Sequence, residues 1–304
     1  MIIRAKLHWF RMLFVWRGSV LTRILPQLFT IIALAVLVLA AKWFYPALVP
    51  DLTPLPFTLL GIALAIFLSF RNSVSYDRFW EARKLWGAVL NESRTLARQQ
   101  LTAVDVSQPQ RQQFVYALIA FVHALRGQLR QTDCTAALQQ LLSPGAAARV
   151  TAGRFKPALV VLELGQQLAQ MRRQQQLDSM LFAAMDQQLS RLNACLGGCE
   201  RIAGTPVPFA YSVILHRTVY CYCFLLPLGL VSTLGLMTPL IVAFVAYTFL
   251  ALEALAEELQ DPFGTEPYDL ALDAMTEMIE SALREMLGEA VGPAPAVPAN
   301  CVLT

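Results

Sequence analysis

The feature that most constrains this chain is the spacing of its charges. The 35 residues from Thr218 to Leu252 carry none, and neither do the 18 from Ile24 to Ala41 or the 19 from Leu52 to Phe70. About 20 residues at a helical rise of ~1.5 Å cross the ~30 Å hydrocarbon core of a bilayer, so an apolar run of 18 or more is a candidate membrane helix. A water-soluble chain of 304 residues would have to bury all of these runs in its core. Composition agrees: 15% of residues are charged, against roughly 25% in soluble domains. The expected fold class is all-α, a polytopic membrane protein.

The 35-residue stretch is too long for one span. Gly229, Gly235 and Pro239 punctuate it, and glycine and proline mark turns, which gives a helical hairpin with spans at about 209–230 and about 238–256. With the two earlier runs this makes four spans. A cleaved leader is the competing reading of the first run. Its charged segment of 23 residues and apolar core of at least 18 exceed the usual lengths, and Val38-Leu-Ala40 before Ala41 and Lys42 is a poor cleavage context. A retained span is expected.

Lysine and arginine set the orientation. Residues 1–23 hold five, residues 71–205 hold sixteen against nine acidic residues, and the segments 45–56 and 229–239 hold none. Both basic segments are therefore expected in the cytosol, with both termini inside. The expected organisation is a cytosolic N-terminal segment (1–23), two spans (24–70), a cytosolic helical domain (71–205), two further spans (206–256), an acidic cytosolic helical segment (257–290) and a flexible tail (291–304).

The central segment reads as helical. Phe79 to Trp86 and Arg111 to Leu129 place apolar residues at spacings of three and four. Thr132-Asp133 resembles a helix cap, Ser143-Pro144-Gly145 a turn, and Gln166 to Leu192 is rich in helix formers. Residues 253–289 carry eleven acidic residues and only Arg284 as a base, so a basic centre and an acidic end should pack together, within or between subunits. Net charge is +3 and no basic run is interleaved with aromatics, which argues against a nucleic-acid partner.

Catalytic signals are absent. Cys195 and Cys199 share a helix face, but no second pair completes a four-ligand zinc set, so buried free thiols are expected. His8, His123 and His216 lie in unrelated contexts, and no nucleophile elbow, phosphate loop or dinucleotide fingerprint occurs. No enzyme is expected.

The second run, Phe57 to Phe70, places Ile62, Ile66 and Phe70 on one helix face beside a stripe of small residues, Gly61, Ala65 and Ser69. Two readings stay open on spacing alone. The large residues could face lipid while the small ones meet neighbouring helices, or the apolar face could line a constriction. Arg71, Asn72, Ser73 and Ser75 follow with no helix breaker through Ala88, so one helix can run on beyond the membrane. Arg217, at the edge of the third span, is a charge whose role is either functional or a pairing with an acidic residue at the same edge.

Several segments together resemble the bestrophins, bacterial branch: Trp16-Arg-Gly-Ser19, Gly61 through Ser73, Glu81-Ala-Arg-Lys-Leu-Trp-Gly87, Gly197-Gly-Cys-Glu-Arg201, Thr205 through Tyr211, and Ala256 through Gly264. The resemblance implies a homopentamer around a central pore in the cell (inner) membrane, among lipids. Its hydrophobic neck falls on Ile62, Ile66 and Phe70, and a second, cytosolic aperture on Met180. It implies a channel for monovalent ions, sodium and other cations as in bacterial relatives, or chloride as in animal ones. The calcium clasp of the animal proteins reduces here to Glu266 and Asp269 after Asp261-Pro-Phe-Gly264. Calcium takes six to eight oxygens, so no cofactor is expected to be required, and calcium or another divalent ion is doubtful. A secondary transporter and a non-conducting membrane scaffold are the remaining alternatives. The former would show internal repeats with interrupted helices, and none is seen.

Overall fold

The computed structural model describes residues 8–12, 14–16, 18–292 and 303. The expected flexible tail lies outside these residues except for Val291, Gly292 and Leu303, as do Arg4, Lys6 and Arg17 of the basic N-terminal segment. Among the described residues the chain is all-helical: α1 (Trp9–Met12), α2 (Leu21–Phe44), α3 (Leu55–Ala103), α4 (Gln108–Arg130), α5 (Thr135–Leu141), α6 (Pro144–Ala152), α7 (Lys156–Arg173), α8 (Ser179–Gly204), α9 (Phe209–Leu234), α10 (Thr238–Leu259) and α11 (Leu272–Met286). They form two compact units, which divide α3 between Phe79 and Trp80 and the rest of the chain at Thr205 and Asp261.

The apolar unit is built from α2, the first half of α3, α9 and α10. Among the described residues three helical stretches are long and apolar enough to cross a membrane: Leu21–Phe44, Leu55–Ala103 and Phe209–Leu259. The third is divided by a short 3-10 turn, Gly235–Met237, where Gly235 takes φ +50°, a conformation glycine adopts without a Cβ clash. The hairpin break therefore begins at Gly235. Gly229, read from the sequence as part of that break, sits inside α9 instead, where the Phe57 ring packs against its Cα. Contacts between α9 and α10 pair His216 with Glu253 and Tyr222 with Phe249, so the two helices run antiparallel.

Ile31, Ala35, Leu64, Leu68, Val219, Cys223, Val242 and Ala246 fill the core of this unit. Its outward faces are equally apolar: Phe29 and Leu37 on α2, Ile214 and Leu225 on α9, and Leu240 and Phe244 on α10 are all exposed. In water such a surface would be a large liability; in hydrocarbon it is what a spanning helix presents. Trp43, Phe44 and Tyr45 stand exposed where α2 ends, the level at which amphipathic rings sit at a membrane interface.

The two ends of the bundle are fastened by charges. At one end Lys42 Nζ lies 2.6 Å from Asp51 Oδ1, which also accepts from Ser232 Oγ at 2.6 Å. The Lys42 ammonium and then the Ser232 hydroxyl hold the Asp51 carboxyl below its ordinary range. At the other end Arg23 bridges to Glu257 at 2.8 Å and to Glu258 at 3.6 Å.

The second unit centres on α4, whose residues Phe114 to Leu125 are largely buried. A reciprocal capping box between Ser107 and Gln110 starts it. Asp133 caps the next helix, accepting from the Thr135 amide at 3.0 Å and its hydroxyl at 2.6 Å. Ser143-Pro144 opens α6, with proline in its first turn, where its missing N–H costs nothing. The helix-forming stretch Gln166 to Leu192 is two helices. Gln175 adopts φ +59°, and Asp178 begins α8 by accepting from the Met180 amide at 2.8 Å. The acidic end packs on the basic centre within one subunit: Asp273 of α11 pairs with Arg130 at 2.6 Å and Arg126 at 3.2 Å.

Candidate pore site

Helix α3 turns two different faces. Leu64, Leu68, Arg71 and Ser75 are buried, while Ile62, Ile66 and Phe70 remain 56%, 51% and 63% exposed. The three form an open groove of about 370 Å³ together with Ala65 and Ser69. The small-residue stripe thus splits. Gly61 faces the bundle, where a Cβ would come 2.7 Å from the Tyr222 hydroxyl, whereas Ala65 and Ser69 lie on the exposed side with the large residues. Within the chain it is Gly61, Leu64 and Leu68, not Ala65 and Ser69, that pack against neighbouring helices.

Polar contacts fix the rotation of α3 just past Phe70. The Arg71 guanidinium is 4% exposed and its Nη1 lies 4.0 Å from Glu253 Oε1. Glu253 also meets His216 Nδ1 at 2.5 Å. Asn72 Nδ2 donates to the Leu68 and Leu252 carbonyls at 2.9 and 3.1 Å, and Arg78 Nε donates to the Gln260 carbonyl at 3.1 Å. With Arg71 and Asn72 turned inward, residues one position earlier and four apart must turn outward.

Sequence reasoning did not single out this Arg71–Glu253–His216 cluster. A usable signal was present: Arg71 ends one uncharged run and Glu253 ends another, so in a bundle of spans the two charges fall at the same depth. Arg217, for which an acidic partner was one expectation, is exposed and makes no ion pair among the described residues. Its neighbour His216 and Arg71 take Glu253 instead.

In the other unit, Met180 is 84% exposed in the first turn of α8. Glu266 and Asp269 lie in one turn, but the Asp269 carboxylate accepts from the Glu266 amide at 2.7 Å and is buried, while Glu266 is exposed. The two side chains alone fall short of the six to eight oxygens that calcium takes, and among the described residues no group of three or more His, Cys, Asp or Glu is placed to hold a metal ion. Cys195 and Cys199 are buried free thiols, and burial pushes Cys199 up to about 12, far from a reactive thiolate.

A bundle of apolar helices with aliphatic outer faces, anchored by charges at both ends, defines a polytopic helical membrane protein. The family description "Bacterial/Fungal Bestrophin protein" matches residues 1–285. A voltage-dependent anion channel-forming protein of Ralstonia nicotianae is 48% identical, over 95% of each chain, and one of Escherichia coli strain K12 is 44% identical over 98% of each. The crystal structure of a bacterial bestrophin homologue from Klebsiella pneumoniae superposes with a TM-score of 0.85 at 44% identity, covering 88% of this chain and 100% of that one. The chain belongs to the bestrophin family, and it is an ion channel and not an enzyme.

Proposed function

We propose that five copies of this chain enclose a pore for monovalent ions, with Ile62, Ile66 and Phe70 of each copy forming a stacked apolar neck and a preference for cations such as sodium. The observation that carries this reading is the half-exposed face of α3. Three large apolar residues and two small ones stand open on a helix whose other side is locked by Leu64, Leu68 and a buried arginine. One subunit supplies one wall of a passage, and a heterologous contact repeated around an axis closes a ring. An apolar ring restricts or gates by dewetting. Met180, exposed at the start of α8, is assigned to a second constriction at the cytosolic mouth.

In this reading the helical unit and both termini are cytosolic, the protein sits in the inner membrane among lipids, and calcium is not required. The cation preference follows the resemblance to the bacterial branch. The names of the Ralstonia and Escherichia relatives, voltage-dependent anion channel-forming proteins, favour a second reading, an anion channel. Recording from the purified protein in planar bilayers under asymmetric sodium chloride separates them. A reversal potential toward the sodium equilibrium value is expected; one toward the chloride value establishes the second reading. Flux that saturates and requires a second solute would instead identify a carrier.

A further inference from the structure

A ring of carboxylates on the wall of a pore favours cations. At about 100° per residue, Ile62, Ile66 and Phe70 span an arc of about 80° on α3, and the same arc continues through Ser73 at about 20° and Asp77 at about 60° from Ile62. The helix runs on through these positions unbroken, and both residues are exposed. Asp77 makes no hydrogen bond or ion pair among the described residues. Asp51 is engaged with Lys42, Glu253 with Arg71 and His216, and Glu257 with Arg23; Asp261 is also exposed without an ion pair among the described residues, but it follows α10 and is not on the α3 face. The neighbouring Arg78 donates from its guanidinium to the Gln260 carbonyl.

We propose that Asp77 sets the cation preference of the pore, as a ring of carboxylates at the inner mouth of the neck. The proposal rests on the α3 face being the pore wall, as argued above. Seven residues at a rise of ~1.5 Å place Asp77 about 10 Å past Phe70, roughly one Debye length at 0.1 M ionic strength. The next charge on the same arc, Lys84, comes seven residues later in the chain and lies beyond that screening distance. The nearer, negative ring therefore governs which ions accumulate at the constriction. Concentrating counter-ions in a low-dielectric opening is what a ring of one sign does.

The test is reversal potential and conductance of the full-length channel in bilayers under asymmetric sodium chloride, for wild type, Asp77→Asn, Asp77→Lys, Lys84→Gln and Ile66→Ala. Asp77→Asn is expected to move the reversal potential most of the way to zero and to lower conductance severalfold in dilute salt, with little change in 1 M salt. Asp77→Lys should reverse the preference, and Lys84→Gln should leave it nearly unchanged. An Asp77→Asn channel with wild-type selectivity overturns the proposal, as does an anion-preferring wild type or a Lys84→Gln shift as large as that of Asp77→Asn. Ile66→Ala separates the two levels of the argument. If it raises conductance while Asp77→Asn leaves selectivity intact, the neck stands and Asp77 falls. If Ile66→Ala is also silent, the α3 face is not the pore and both fall.

Discussion

Arg71 shows how one residue can aim three others. A guanidinium with almost no exposure needs a counter-charge, and Glu253 supplies it across from α10. Once Arg71 points inward, Phe70 points outward, and Ile66 and Ile62 follow one and two turns back. Removing one member of such a buried pair leaves an uncompensated charge, at a cost of roughly 3–5 kcal/mol, while replacing both by apolar residues is often neutral. Glu253→Ala should therefore lower the melting temperature of the purified channel sharply, and Arg71→Met with Glu253→Leu should recover most of the loss; equal melting of the single variant and wild type would refute the anchoring role. The sequence made Arg71 and Glu253 visible as the charges that end two apolar runs. Their pairing was not visible, because it depends on how α3 and α10 rotate about their axes, which distant side chains such as Tyr222 and Leu250 decide.

At the scale of elements, the charge pattern was the most legible part of the chain. The acidic end and the basic centre meet as α11 on α4 through Asp273 with Arg126 and Arg130. Glu280 adds a further tie: the His123 ring lies 2.7 Å from it, Arg284 donates to it at 2.8 Å, and together they hold its carboxyl down to about 2 despite partial burial. A carboxyl depressed below its unfolded value of 4.5 stabilises the fold above that pH and loses the contribution as pH falls toward 2. Thermal melts between pH 5 and pH 2 should show wild type losing more stability than Glu280→Gln; parallel curves would remove Glu280 from the account. Less legible was the break between α7 and α8. Gln166 to Leu192 is helix-forming throughout by composition, and only the Asp178 cap and a left-handed Gln175 interrupt it. The hairpin turn was placed correctly at Gly235 but too early at Gly229. A glycine admits a close aromatic neighbour as readily as a turn, and sequence cannot tell which of the two is needed.

For the whole molecule, the apolar runs were enough to read a polytopic helical protein, and the ordered motifs were enough to reach the family to which the chain belongs. The pore was not readable from spacing, because an apolar face looks the same whether it meets lipid or a water-filled constriction. In the fold the inward side of α3 is occupied by Leu64, Leu68 and Arg71, and the proposed ring of subunits would take up the exposed face of Ile62, Ile66 and Phe70. Permeation should then depend on the bulk of these three side chains. The most direct measurement is the single-channel conductance of Ile66→Ala and of the triple variant with alanine at Ile62, Ile66 and Phe70. The account predicts a severalfold rise for the single variant and a larger rise for the triple; a triple variant that conducts like wild type would contradict it.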